Sequence, residues 1–173
     1  MLAVHTFGWE RLVRVIGIDP GLTRLGYGIV DEEGGRMSAV AFGTLRAEGS
    51  EVGDKLVALR RRLAELMAEH RPDAAAVERL FVNRNRRTAT QVGRASGVAL
   101  MALSEHGLPV AEYGPMEVKV SLTGYGGATK EQVGYMVRSL LRLQTRPDSA
   151  DASDALAVAI CHLHSRKLKA AAQ

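Results

Sequence analysis

The residues from Val13 to Ile18 constrain this chain more than any others. They are β-branched and apolar on nearly every residue, and they stop at Asp19-Pro20-Gly21, which cannot continue a hydrogen-bonded ladder. An apolar run without alternation predicts a strand buried on both faces, and such strands belong to sheets covered by helices. Tyr27 to Val30 and Met37 to Thr44 follow at hairpin distance, separated by Gly21, Gly26 and Gly28 and then by Asp31 to Gly35, so the first three strands are predicted antiparallel. From Asp54 to Met67, Leu56, Leu59, Leu63, Leu66 and Met67 recur at helical spacing with Arg60, Arg61 and Arg62 outside, and the helix must stop before Pro72. Ala74 to Leu80 then reads as a strand parallel to the first, because a helix supplies the crossover. A helix over Thr88 to Glu105, a strand over 108–113, a short helix over 117–122, and helices over Lys130 to Leu143 and Ser149 to Lys167 complete the chain. The predicted class is α/β, a mixed five-stranded sheet flanked by helices, within one domain over 13–167. Residues 1–12 are an extension and 168–173 a tail.

The length of 173 residues suits a single core. One cysteine, Cys161, excludes an intrachain disulfide and agrees with a reducing cytoplasm. No run approaches the roughly 20 apolar residues of a membrane span, so a soluble protein without a membrane partner is expected. The net charge of +4 is modest, but its distribution is uneven. The excess falls between residues 79 and 147, on Arg79, Arg84, Arg86, Arg87, Arg94, Lys119, Lys130, Arg138, Arg142 and Arg146. Such a stretch is either a set of solvated helix faces or a surface for a polyanion.

Four carboxylates carry the chemical argument. Asp19 ends the first strand, and Glu78 lies near the end of a strand predicted to run parallel to it; as neighbours they would open on one sheet edge, where ligands of open α/β sheets bind. Asp151 and Asp154 are one turn apart at the start of the last helix and share a face. They either cap that helix or complete a cluster, and the residues alone leave both open. Asp19 could equally be a turn former before Pro20-Gly21. Glu78 is harder to dismiss, because Ala74, Ala75, Ala76, Val77 and Leu80 bury it and an unpaired buried carboxylate costs several kcal/mol. Four clustered carboxylates repel one another unless a cation compensates them. Hard oxygen donors select Mg²⁺ or Mn²⁺, and two such ions suit in-line attack on a phosphodiester.

Three segments, VIGIDPGLTRLGYGIV, AAVERLF and DASDALAVAICHLH, resemble the signature segments of the RuvC family of bacterial Holliday junction resolvases, in order and spacing over about residues 13 to 166. The resemblance implies an RNase H-like fold, a homodimer, and paired symmetric nicking of four-way junction DNA with Mg²⁺ or Mn²⁺. It puts the family's four acidic positions on Asp19, Glu78, Asp151 and Asp154. It also implies that Phe81 stacks on bases at the opened crossover and that Lys119 and Lys130 face the scissile backbone; Arg84 and Arg86 of the basic stretch are expected as further DNA contacts. The small-residue face of the helix over 88–105 resembles the family's dimer contact, although packing within the fold would explain it as well. Association with the RuvA–RuvB branch-migration complex is implied by the family alone. Residues 1–12, with His5 and Trp9, precede the region of resemblance, and His162 and His164 receive no role.

Three other readings compete. A nucleotide-binding phosphotransferase of the actin and sugar-kinase type also opens on a strand, an Asp and glycines, but it needs a duplicated domain that this chain lacks. A junction-binding module without catalysis would not need all four carboxylates. An RNase H acting on RNA–DNA hybrids would share the fold and the metal chemistry, and only the three segments favour a junction.

Overall fold

The computed structural model describes residues 11–79 and 86–172, with side chains of 86–88 left out. Five strands, β1 (Val13–Asp19), β2 (Arg24–Glu33), β3 (Arg36–Arg46), β4 (Ala74–Glu78) and β5 (Val110–Tyr113), form one sheet in the order β3-β2-β1-β4-β5. The helices are α1 (Val52–His70), α2 (Arg86–Glu105), α3 (Pro115–Thr123), α4 (Lys130–Leu140) and α5 (Ala150–Ala171). β1, β2 and β3 are antiparallel, whereas β1, β4 and β5 are parallel, as the helical crossover requires. Among the described residues no helix is long and apolar enough to cross a membrane.

Both sheet faces are covered. Ile16, Ile18, Ala75 and Val77 pack with Leu59, Leu63, Ala95, Ala99 and Leu103 of α1 and α2. On the other face Val15, Val30, Ala74 and Ala76 meet Leu156, Val158 and Ile160 of α5, with Val118 and Val133 of α3 and α4 beside them. Alternation along a strand therefore fixes which residues look toward α5: Val15, Gly17 and Asp19 on β1, and Ala74, Ala76 and Glu78 on β4.

Three differences from the sequence expectations matter. β2 begins at Arg24, not Tyr27, so Gly26 and Gly28 lie inside a strand and do not punctuate a turn. A Cβ at Gly17 would strike the Ala155 carbonyl, one at Gly26 the Asp151 carbonyl, and one at Gly28 the side chain and backbone of Leu156. These glycines are the track on which α5 lies against the sheet. α4 stops at Leu140 because the chain turns through Arg142 at a φ of 53°, and the Leu143 amide bonds back to the Arg138 carbonyl. α5 continues through Ala171, past the expected end at Lys167, since Leu168 to Ala171 are helix formers with no breaker among them. β4 is described to Glu78; Leu80 lies outside the described residues.

Candidate active site at the carboxyl ends of β1 and β4

β1 and β4 are paired in parallel from Val15↔Ala74 to Ile18↔Val77, and the next step of that register sets Asp19 beside Glu78. Both side chains project onto the α5 face at the carboxyl end of the sheet. The helix arrives there because Gly26, the partner of Asp19 across β2, has no side chain to keep the Asp151 backbone away. Ser149 caps α5 by accepting from the Ala152 amide, and its hydroxyl lies 2.8 Å from that of Thr44 on β3. The cap is thus Ser149, which frees Asp151 and Asp154 to face the sheet edge. The structure brings all four predicted acidic residues together.

Their environments differ. Asp19 and Glu78 are largely buried and hydrogen-bond to each other. Burial, then the neighbouring Glu78 and Asp154 charges, push the Asp19 carboxyl up to about 8. Burial also raises Glu78, against the opposing hydrogen bond from Asp19 and the charge of Lys130. The Asp19 carboxyl therefore keeps its proton into the neutral range, and its titration is linked to that of Glu78. Asp154 instead meets Lys130 Nζ at 2.9 Å, and Asp151 Oδ2 lies 3.1 Å from Arg24 Nε. That contact is not aligned as a hydrogen bond, so the buried Asp151 Oδ2 has no hydrogen-bond partner.

An orphaned buried carboxylate oxygen and a proton kept on a buried carboxyl are both features that a cation would relieve. The donor set is all oxygen and suits Mg²⁺ or Mn²⁺. Among the described residues no three such groups already close around one point, and Asp151 and Asp154 lie instead against Arg24 and Lys130. A cavity of about 120 Å³ opens beside Glu78 and Asp154, walled by Lys119, Lys130, Pro115 and Val118. A larger cleft of about 780 Å³ between α3 and α5 is mostly apolar and touches none of the four carboxylates, so volume does not mark the site.

A sequence profile for "Crossover junction endodeoxyribonuclease RuvC" matches residues 15–162 of this chain. The chain belongs to the RuvC family. A RuvC of Alkalilimnicola ehrlichii is 50% identical over 157 residues, covering 91% of this chain and 94% of the relative. One from Halorhodospira halophila is 51% identical over 156 residues, covering 90% and 92%. Among solved structures, Thermus thermophilus RuvC in complex with a Holliday junction substrate superposes with a TM-score of 0.86 at 36% identity, covering 91% of this chain and 97% of that one. The fold is accordingly the RNase H-like fold of RuvC, and the yeast mitochondrial resolvase Ydc2 shares it at a TM-score of 0.65 and 13% identity.

Of the other predicted residues, Lys119 and Lys130 line the small cavity with Glu78 and Asp154. Phe81 and Arg84 lie outside the described residues, as does the side chain of Arg86 at the start of α2. Sequence reasoning missed Arg24, because a strand starting at Tyr27 left it in a turn. It also gave His162 no role. Its Nδ1 lies 3.0 Å from the hydroxyl of Tyr113, the register partner of Glu78, and burial lowers His162 to about 4 so that the ring is neutral. On the other side of Glu78, the Arg79 guanidinium donates to the Glu112 carbonyl and lies near Glu117, which itself accepts from the Gly114 amide at the head of α3. These contacts tie the end of β4 to β5 and α3.

Proposed function

We propose that this chain resolves four-way DNA junctions by paired, symmetric phosphodiester hydrolysis, in DNA recombination and repair. The observation that carries the reading is the convergence of Asp19, Glu78, Asp151 and Asp154 from β1, β4 and α5 at one sheet edge. The likeness to a Thermus thermophilus RuvC solved with a Holliday junction substrate supports four-way DNA as the substrate. The four carboxylates are proposed to hold Mg²⁺ or Mn²⁺, two ions per site. Such ions, when bound, supply an activated water and stabilise the charge on the leaving 3′ oxygen.

The chain's own residues do the rest. Asp19 gives up its proton, so that both it and Glu78 become ligands. Lys130, exchanged from Asp154, and Lys119 are proposed to meet the scissile phosphate, a reading supported by their shared lining of the small cavity. Phe81 is proposed to stack on an opened base, with Arg84 and Arg86 on the adjoining backbone. Two incisions related by symmetry need two sites, hence a homodimer. Gly97 and Met101, exposed one turn apart on the outer side of α2, support that helix as the contact. Action in the cytoplasm with the RuvA–RuvB complex is proposed from the family likeness, and residues 13–167 are proposed as the nuclease domain.

Incubation with a synthetic four-way junction, a linear duplex and an RNA–DNA hybrid, with Mg²⁺, Mn²⁺ or EDTA, tests this. Paired nicks confined to the junction, religatable, with 5′ phosphates and absent in EDTA, are expected. Preferential cutting of the hybrid would replace the substrate assignment.

A further inference from the structure

β2 and β3 put two arginines side by side at the rim of the carboxylate cluster. Arg24 and Arg46 are register partners, and like charges directly opposed across a strand pair destabilise a sheet. Arg24 shares the strand face of Gly26 and Gly28, which is the face under α5, and its guanidinium reaches Asp151 while staying more than half exposed. Arg46 follows Thr44, whose hydroxyl touches the Ser149 cap of α5, so Arg46 occupies the next position along the same face. The Arg46 side chain, like those of Arg36, Arg94 and Arg138, has neither ion pair nor hydrogen bond among the described residues, so it is available to a ligand. The other exposed end of β3 is different: there Arg36 stands opposite Glu33.

A repulsive pair beside four carboxylates has one partner on Asp151 and one with none. The chemistry that would satisfy both is an oxyanion with several acceptor oxygens, and a guanidinium pair presents forked donors suited to a phosphate. We propose that Arg24 and Arg46 hold a DNA backbone phosphate on the β2–β3 side of the site, across the cluster from Lys119 and Lys130. Arg24 passes from Asp151 to that phosphate when a cation takes Asp151. The inference rests on the nuclease reading above. It extends the DNA surface to residues outside the basic stretch that the sequence pointed to, and it makes cation loading and DNA binding mutually supportive: the cation releases the arginine, and the phosphate keeps it released.

The test uses the full chain and a four-way junction in Ca²⁺, with anisotropy measured over a range of salt. The double variant Arg24→Ala/Arg46→Ala is expected to lower the slope of log affinity against log salt by about 0.9, the share of one phosphate contact on duplex DNA, and each single alanine variant is expected to lower it by part of that. Arg46→Lys should keep the wild-type slope, and Arg36→Ala should leave it unchanged. In the absence of DNA, Arg24→Ala should bind Mn²⁺ up to about fivefold more tightly in calorimetry, since one exposed ion pair no longer competes for Asp151. Thermal melts establish that each variant is folded. If wild type binds and cuts the junction but the double variant keeps the wild-type slope, the arginine pair is overturned and the nuclease reading stands. If wild type neither binds nor cuts, the nuclease reading falls and this inference with it. Unchanged or weaker Mn²⁺ binding by Arg24→Ala would overturn the exchange at Asp151.

Discussion

The two halves of the site solve the same electrostatic problem in opposite ways. Asp19 and Glu78, fixed on the strands, have no ion pair of their own among the described residues, and burial raises both carboxyls although the charge of Lys130 opposes this at Glu78. Asp151 and Asp154, on the first turns of a helix that starts at the surface, each have a basic side chain within reach, Arg24 and Lys130. Burial favours a bound proton on the strand pair, whereas each member of the helix pair lies against a basic side chain. Loading a cation therefore asks different things of the two halves: the strands must lose a proton and the helix must exchange a salt bridge. Such division lets a crowded acidic site fold in the absence of metal, because at no point do four bare carboxylates face one another.

The strongest way to probe the comparison is to replace one member of each half. Asp19→Asn and Asp154→Asn should each reduce junction cutting by at least about a thousandfold in a gel assay while leaving junction binding intact. Their effects on metal-free stability should differ. Asp19→Asn removes a carboxyl that burial disfavours and should raise the melting temperature at pH 8, whereas Asp154→Asn loses a half-exposed ion pair and should change stability by less than about 1 kcal/mol. Equal shifts of one sign in both variants would erase the distinction between the halves.

Next in size is the track that joins them. Gly26→Ala forces a methyl into the Asp151 carbonyl, so chemical denaturation should show a loss of roughly 3 kcal/mol, with cutting reduced as the helix pair is lifted from the strand pair. Stability equal to wild type would mean that α5 does not depend on this approach.

The halves also separate by pH. Asp19 is raised from 3.8 to about 8, so the folded chain retains a proton that the unfolded chain has lost. Its stabilising contribution is fully present below 3.8 and disappears as pH rises through about 8. The stability difference between wild type and Asp19→Asn, measured by metal-free denaturation, should therefore move against wild type across that range. A difference independent of pH would contradict the proton kept on Asp19. Smallest of all, Lys130→Ala should alter stability by less than about 1 kcal/mol yet move this pH dependence upward, because Lys130 opposes protonation of Glu78.

Much of this arrangement was legible in the residues. The largely apolar run of β1 and the parallel placement of β4 led to Asp19 and Glu78 at one edge, because periodicity and chain crossover are local or nearly local signals, whereas Asp151 and Asp154 stayed between cap and ligand until the family resemblance joined them to the other two. Gly26 and Gly28 were misread for a physical reason. Glycine weakens a strand in isolation, and its use here is to admit a helix from more than a hundred residues later, which only tertiary packing reveals. Arg24 was lost with them, since a strand begun too late hid its face. The shared parity of Arg24, Gly26 and Gly28 was the available clue. The identity of the substrate was never written in charge or period; it came from the three segments and from the relatives that share them.

The account rests on the four carboxylates acting as one cation site. Calorimetric titration of the metal-free chain with Mn²⁺ at pH 7, in buffers of different ionisation enthalpy, reads both binding and the proton released with it. Saturable binding with close to one proton released per chain is predicted, with the release lost in Asp19→Asn and the affinity lowered at least about tenfold in Asp154→Asn. Wild-type binding without proton release, or equal affinity in the two variants and wild type, would contradict it.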